Sequence, residues 1–322
     1  MQKEKLAEGD YILTREGYVF EVKGARHGAE WYTAYLKYVT GAAGKLKVYP
    51  LGERFAEVMK HARRYLWYDE AIGRVAMRVL SEDIMSILKA REAYARLKKR
   101  GARSRVGEAT LEMASMLESY GVSESNIGVS GSVSLGIERE TSDIDLVVYG
   151  EKDGTLAYSV LSELRAKGAT QPLSEDIIKR KYASIRGEIS YSLFRRREAS
   201  RVLQGMFNGV EYSIRLARTD SLPECRLYIP LGRVKGVYEV LDDRYSVFTP
   251  MQCKIRAVRG VNASEVFSLR IRDTEGAKAG TLIYVSGHIE LCIPPDGSIR
   301  LVISLNDDWS YIAPGYAIES SR

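Results

Sequence analysis

"VSGSVSLGIERETSDIDLVVYG", residues 129 to 150, places two carboxylates, Asp143 and Asp145, at the mouth of the apolar run Leu146-Val147-Val148. Side chains alternate across a strand, so these acids share one face, roughly 6.6 Å apart along the chain. Ile144, Leu146 and Val148 take the opposite face, toward the core. Two like charges so placed repel each other, and a divalent cation between them turns repulsion into attraction. Mg²⁺ prefers hard oxygen ligands and typically divides itself between one or two carboxylates and substrate phosphates. The pair reads as half of a metal–phosphate site. Gly131-Ser132 would supply the other half. A glycine after a short strand lets the backbone approach a ligand closely. Amide N–H groups opening the next helix can then point at a triphosphate, with the Ser130 and Ser132 hydroxyls adding hydrogen bonds. Val133 to Ser142 form a short helix and a turn, long enough to bring Asp143 round to that nest.

Around this stretch, residues 104–222 read as one unit. Ala109, Met113, Met116, Leu117 and Tyr120 form a helix stripe closed by Gly121. A strand at Ile127 to Ser130, the turn, a short helix and a strand at Ile144 to Tyr149 follow. Further helices are expected around Leu156, Val160 and Leu164, and from Ser174, where Glu175 and Asp176 suit a helix N-terminus. Asn208-Gly209 between "RVLQGMF" and "VEYSIRLA" is a hairpin signal.

Residues 1–100 read as a small α+β module. Strands turn at Glu16-Gly17 and at Gly41 to Gly44, and a helix stripe runs through Phe55, Val58, Met59, Ala62 and Leu66. Helical pattern is expected to continue, with interruptions, to Gly101. Residues 223–322 are β-rich, with short strands at "GVYEVL", "TLIYVSG", "HIELCI" and "IRLVISL" and a Pro294-Pro295-Asp296-Gly297 turn. They fit a small antiparallel barrel or sandwich. The fold class expected is α+β and multidomain.

Composition narrows the function classes. The 322 residues exceed the ~250–300 at which one core usually stops growing. No apolar stretch approaches the ~18–20 residues of a membrane span, and Met1-Gln2-Lys3-Glu4-Lys5 lacks the apolar segment of a secretory signal. A cytoplasmic protein with no membrane partner is expected. Cys225, Cys253 and Cys292 are too scattered for a disulfide framework or a Cys-x-x-Cys metal site. His27, His61 and His288 are equally dispersed, which speaks against zinc. Four Asn and four Gln are few, a depletion common in proteins from hot environments. The net charge of +6 is concentrated in two basic runs, Lys89 to Arg105 and Lys179 to Arg201. The second offers Lys179, Arg180, Lys181, Arg195, Arg196 and Arg197 to a phosphate backbone, interleaved with Tyr182, Tyr191 and Phe194.

At Val129-Ser130-Gly131-Ser132 and Asp143-Ile144-Asp145-Leu146 the sequence resembles the DNA polymerase β-type nucleotidyltransferase superfamily. The shared pattern is an apolar residue, Gly-Ser, about ten residues, then Asp-apolar-Asp-apolar. The resemblance covers residues 129 to 150 and extends as an expectation over 104–222; the whole layout also resembles archaeal multidomain proteins that carry such a domain. It implies a mixed-sheet palm with helices. It further implies transfer of a nucleotide monophosphate from an NTP to an acceptor hydroxyl, assisted by two Mg²⁺ ions, for which Mn²⁺ can substitute. Asp143 and Asp145 would hold the metal, Ser130, Gly131 and Ser132 the phosphates, and the flanking modules would choose the acceptor, RNA or DNA before a small molecule or protein.

One departure weighs on catalysis. Active members of the superfamily usually carry a third carboxylate on a later strand. Matching Ile214-Arg215-Leu216 to that strand puts Ser213 where the acid would be. Glu211, two residues earlier on the same face, is the candidate substitute, displaced by roughly 6.6 Å. The alternative function is a degenerate domain that binds nucleotide or nucleic acid as a sensor or scaffold.

Overall fold

A computed structural model of the chain describes residues 4–41, 44–48, 50–69, 74–185, 189–219 and 227–314. The fold is α+β, with three β-sheets and seven α-helices among the described residues. The expected boundary at residues 222 and 223, Cys225 and the Ala42-Ala43 part of the second turn lie outside them.

The chain forms two compact units. The first comprises Met1–Trp67, Ala76–Ser174 and Val202–Asp220, and so holds the N-terminal and central segments together. Its N-terminal sheet is built from β1 (Tyr11–Thr14), β2 (Tyr18–His27), β3 (Trp31–Gly41) and β4 (Gly44–Lys47). After helix α1 (Leu51–His61) come β5 (Leu66–Asp69), β6 (Arg74–Leu80) and β7 (Ile84–Leu88), then α2 (Ala90–Arg100). The order is β5-β6-β3-β2-β1-β7, with β4 on β3. The expected helical run between Leu66 and Gly101 is therefore corrected: three strands stand there before α2 begins. Long-range pairing decides it, since Leu80 pairs with Trp31 and Leu88 with Tyr11. An available sheet edge outweighs local helical period.

The central segment follows its sequence signals closely. Helix α3 (Arg105–Ser119) is capped by Ser104, whose hydroxyl accepts from the Gly107 N–H at 3.1 Å. Then come β8 (Ile127–Val129), the five-residue α4 (Gly131–Leu135), β9 (Ile144–Tyr149) and α5 (Glu151–Ala166). β10 (Gln204–Phe207) and β11 (Val210–Ala217) make the hairpin, with positive φ at both Asn208 and Gly209. The order β10-β11-β9-β8 gives a mixed sheet: β11 and β9 run parallel, the outer pairs antiparallel. α3 and α5 pack on β9. Ile144, Leu146, Val147 and Val148 are all fully buried.

The second unit comprises Tyr68–Val75, Glu175–Arg201 and Ser221–Arg322. It contains α6 (Glu175–Ala183) and α7 (Tyr191–Ser200). Its strands are β12 (Leu227–Tyr245), β13 (Phe248–Thr249), β14 (Met251–Arg259), β15 (Glu265–Ser268), β16 (Leu282–Ile293), β17 (Arg300–Ser304) and β18 (Tyr311–Pro314). β12 pairs with both β14 and β16, and the β15–β17 pairing is parallel, so the sheet is not purely antiparallel as expected. "TLIYVSG" and "HIELCI" lie on one strand rather than two. Gly287 marks a close approach: a Cβ there would lie 2.7 Å from the Ser304 carbonyl oxygen. Cys253 is free and buried, whereas Cys292 is disulfide-bonded, against expectation. No helix among the described residues is long and apolar enough to cross a membrane.

Candidate functional site

Asp143 ends the approach to β9 and Asp145 is its second residue. The parallel register sets Ser213 beside Asp145 and Tyr212 beside Ile144, so Glu211 stands level with Asp143 on the same face. The neighbour of Asp145 is thus a hydroxyl, which lies 3.5 Å from the Gln204 amide nitrogen. Among the described residues no group of three or more His, Cys, Asp or Glu side chains is placed to hold a metal ion. Glu211 shares the face but does not complete a three-acid set. Neither aspartate carboxylate accepts a hydrogen bond or joins an ion pair among the described residues. Burial first, then the Asp143 charge, pushes the Asp145 carboxyl up to about 6, against the pull of Lys37, Arg215 and Lys47.

The glycine–serine turn serves this pair differently from expectation. Gly131 has φ +63°, and a Cβ on it would lie 2.1 Å from Asp145 Oδ2. The residue is glycine because the carboxylate rests against its Cα. Its N–H donates to the Tyr11 hydroxyl at 3.1 Å, and the fully buried Ser130 hydroxyl donates to the Gly9 carbonyl at 3.0 Å. Ser130 and the Gly131 amide are therefore committed inside the protein, which corrects their assignment as phosphate contacts. Ser132 is different: its Oγ is buried and has no hydrogen-bond partner. Such an orphan costs about 1–3 kcal/mol unless something meets it. Gly131→Ala is expected to lower stability by about 2 kcal/mol or more, from the clash and the left-handed backbone together, as read by denaturant unfolding.

The N-terminal sheet supplies groups that the sequence reading missed. Tyr11 and Glu21 pair across β1 and β2 and share a face. Between β2 and β3, Val19 pairs with Tyr38 and Phe20 with Leu36, leaving Lys37 as an extra residue in a β-bulge. The bulge turns Lys37 and Tyr38 to the same side as Tyr11. Lys37 Nζ lies 3.2 Å from Glu21 Oε2, and the Tyr38 ring packs 6.3 Å from Tyr11, in a cluster with Val19 against which Leu135 and Ile137 pack. Lys47, on β4, is the cross-strand partner of Tyr38 and is exposed. From β11, Arg215 forks to Glu8 at 2.8 Å and Glu21 at 2.5 Å; Lys23 contacts the same two acids at 2.9 and 3.2 Å. Burial, with repulsion from Arg54 and Arg215, brings the Lys37 ammonium down to about 8, although Glu21 and Asp145 hold it up.

The second basic run divides on inspection. Arg197 is buried in the second unit and donates to the Arg272 carbonyl, so its assignment to a nucleic-acid surface is corrected. Arg195 is exposed but pairs with Glu175 at 2.8 Å. Lys179, Arg180 and Arg196 are exposed and Lys181 is partly so. Arg186 and Glu188 lie outside the described residues. Tyr182 packs against Tyr191 and Phe194 at 5.1 and 5.5 Å, so these rings contact one another as a small core.

The chain is similar to an uncharacterized protein of Methanocaldococcus jannaschii, at 26% identity over 311 residues, spanning 89% of this chain and 92% of that protein. No family model and no solved structure matches it.

Proposed function

We propose that the central mixed sheet is a palm of the DNA polymerase β nucleotidyltransferase type. In this reading Asp143 and Asp145 hold a divalent cation, Mg²⁺ or Mn²⁺, and with it the triphosphate of an NTP. The chain then transfers the nucleotide to a hydroxyl acceptor, nucleic acid before small molecule or protein. One observation carries this: two carboxylates on one face, with no donor or counter-ion bonded to either, beside an orphan Ser132 hydroxyl. Two hard oxygen ligands of like charge fit a cation, and at neutral pH a group held at about 6 is ionised to receive it. When bound, such an ion neutralises phosphate charge and lowers the pKa of an attacking hydroxyl. Ser132 would donate to a phosphate oxygen. The β12 pairing with both β14 and β16 supports a closed C-terminal barrel. Lys179, Arg180 and Arg196 are exposed, and in this reading they would meet a nucleic-acid backbone.

A second reading, nucleotide binding without transfer, is favoured by Ser213 beside Asp145. A serine carries no charge and accepts no proton readily, so the acceptor lacks a base there.

The test incubates the full-length protein with each labelled NTP, Mg²⁺ or Mn²⁺, and RNA, DNA or protein acceptors. Transfer is expected to fall by at least about a hundredfold in Asp143→Ala/Asp145→Ala and to rise in Ser213→Asp. Nucleotide binding with no transfer by either wild type or Ser213→Asp would leave the second reading. No nucleotide binding would end both.

A further inference from the structure

We infer that the N-terminal sheet is the second wall of this site: Lys37, Tyr38 and Lys47 bind the phosphates of a polyphosphate ligand whose cation is held by Asp143 and Asp145. The inference rests on the preceding reading of the aspartates, and gives the N-terminal sheet a part in nucleotide binding instead of acceptor choice.

Geometry carries it. The bulge at Lys37 breaks the alternation of β3 and brings two consecutive polar-tipped side chains onto the face that carries Tyr11 and Glu21. Bulges recur beside active sites, where they re-aim a side chain at the cost of regular pairing. That face meets the glycine–serine turn directly, through the Tyr11 hydroxyl on the Gly131 N–H. Tyr38 is 4% exposed, yet its hydroxyl has no hydrogen-bond partner among the described residues. Lys47 sits beside it across the β3–β4 ladder and forms no ion pair among the described residues. The corner therefore gathers unpartnered groups of both kinds: acids that take a cation, and an ammonium, a phenol and the Ser132 hydroxyl that donate to anionic oxygens. A metal-bound polyphosphate carries both complements at once. Lys47 is felt by Asp145, and Lys37 by both Asp145 and Arg215, so each cation is within electrostatic reach of the acids.

Opposite-signed effects distinguish this role from a structural one. Lys47 repels a bare cation and attracts a polyphosphate. In full-length protein, Lys47→Gln is expected to weaken inorganic tripolyphosphate binding in the presence of Mn²⁺ by about tenfold, and to leave Mn²⁺ alone unchanged or slightly tighter. Tyr38→Phe is expected to weaken tripolyphosphate by about fivefold with Mn²⁺ unchanged. Lys37→Met follows the same pattern as Lys47→Gln; because Lys37 is paired with Glu21, the exposed Lys47 variant is the decisive one. Asp145→Asn should lose both ligands. Tripolyphosphate affinity within twofold of wild type in Lys47→Gln and Tyr38→Phe, with Asp145→Asn losing it, would overturn this inference and leave the proposed function standing. Failure of wild type to bind Mn²⁺ at all would overturn the reading of the aspartates, and this inference with it.

Discussion

Asp145→Asn is expected to stabilise the cation-free protein at pH 7 while abolishing its affinity for Mn²⁺. The carboxyl titrates at about 6 in the folded chain, above the roughly 3.9 of an unfolded aspartate. Between those values the folded state binds the extra proton, so its stability falls as pH rises from about 4 to about 6 and then levels off. The asparagine variant lacks that fall. Its advantage over wild type should be near zero below pH 4 and reach about 3 kcal/mol at pH 7. Denaturant unfolding in a chelator at several pH values measures it. Contributions from Glu21, Lys37, Arg215, Lys47, Tyr11, Tyr38 and Asp143, which face the same corner, largely cancel in the difference. Parallel stability curves for the two proteins would show that Asp145 is not raised. If the proposed cation site forms, Mn²⁺ displaces the proton below pH 6, so apparent affinity should climb up to about tenfold per pH unit there and flatten above. A loss of at least about a hundredfold in Mn²⁺ affinity is expected for the variant.

Arg215→Met should be the most damaging single change in the first unit. It leaves Glu8 and Glu21 buried with only the lysines Lys23 and Lys37 beside them. Breaking a buried ion pair by removing one partner typically costs about 3–5 kcal/mol, because the remaining charge is uncompensated. Arg215 heads the charged groups that hold the Glu21 carboxyl well below the usual carboxylate range, against the burial that would raise it. Its contribution is therefore present above the unfolded pKa of about 4.3 and lost as pH falls further. Arg215→Met/Glu21→Gln should recover part of the loss, with a coupling energy of about 1–3 kcal/mol in a double-mutant cycle. Additive losses would mean that the two residues act separately. Because Glu21 also positions Lys37, Glu21→Gln is expected to weaken tripolyphosphate binding as well.

Local chemistry settled much of this protein from its letters. Period-two alternation puts Asp143 and Asp145 on one face. Asn208-Gly209 makes a hairpin because both positions adopt positive φ. Gly121, with φ +99°, closes α3. Each of these depends on neighbours a few residues away, which a sequence displays. The rest depends on partners that lie farther off along the chain, on other strands and other elements. Leu36 and Tyr38 look like companions at period two, yet one extra residue in the ladder sends them to opposite faces. Nothing in "SGS" announces that Tyr11 takes the Gly131 amide, or that Gly9 takes the Ser130 hydroxyl. Arg197 reads as surface charge until the second unit closes over it. Strands β5 to β7 replaced a helical pattern because a sheet edge was there to receive them. Hydrogen-bond partners and burial are properties of the folded whole, and only the tertiary structure could assign them.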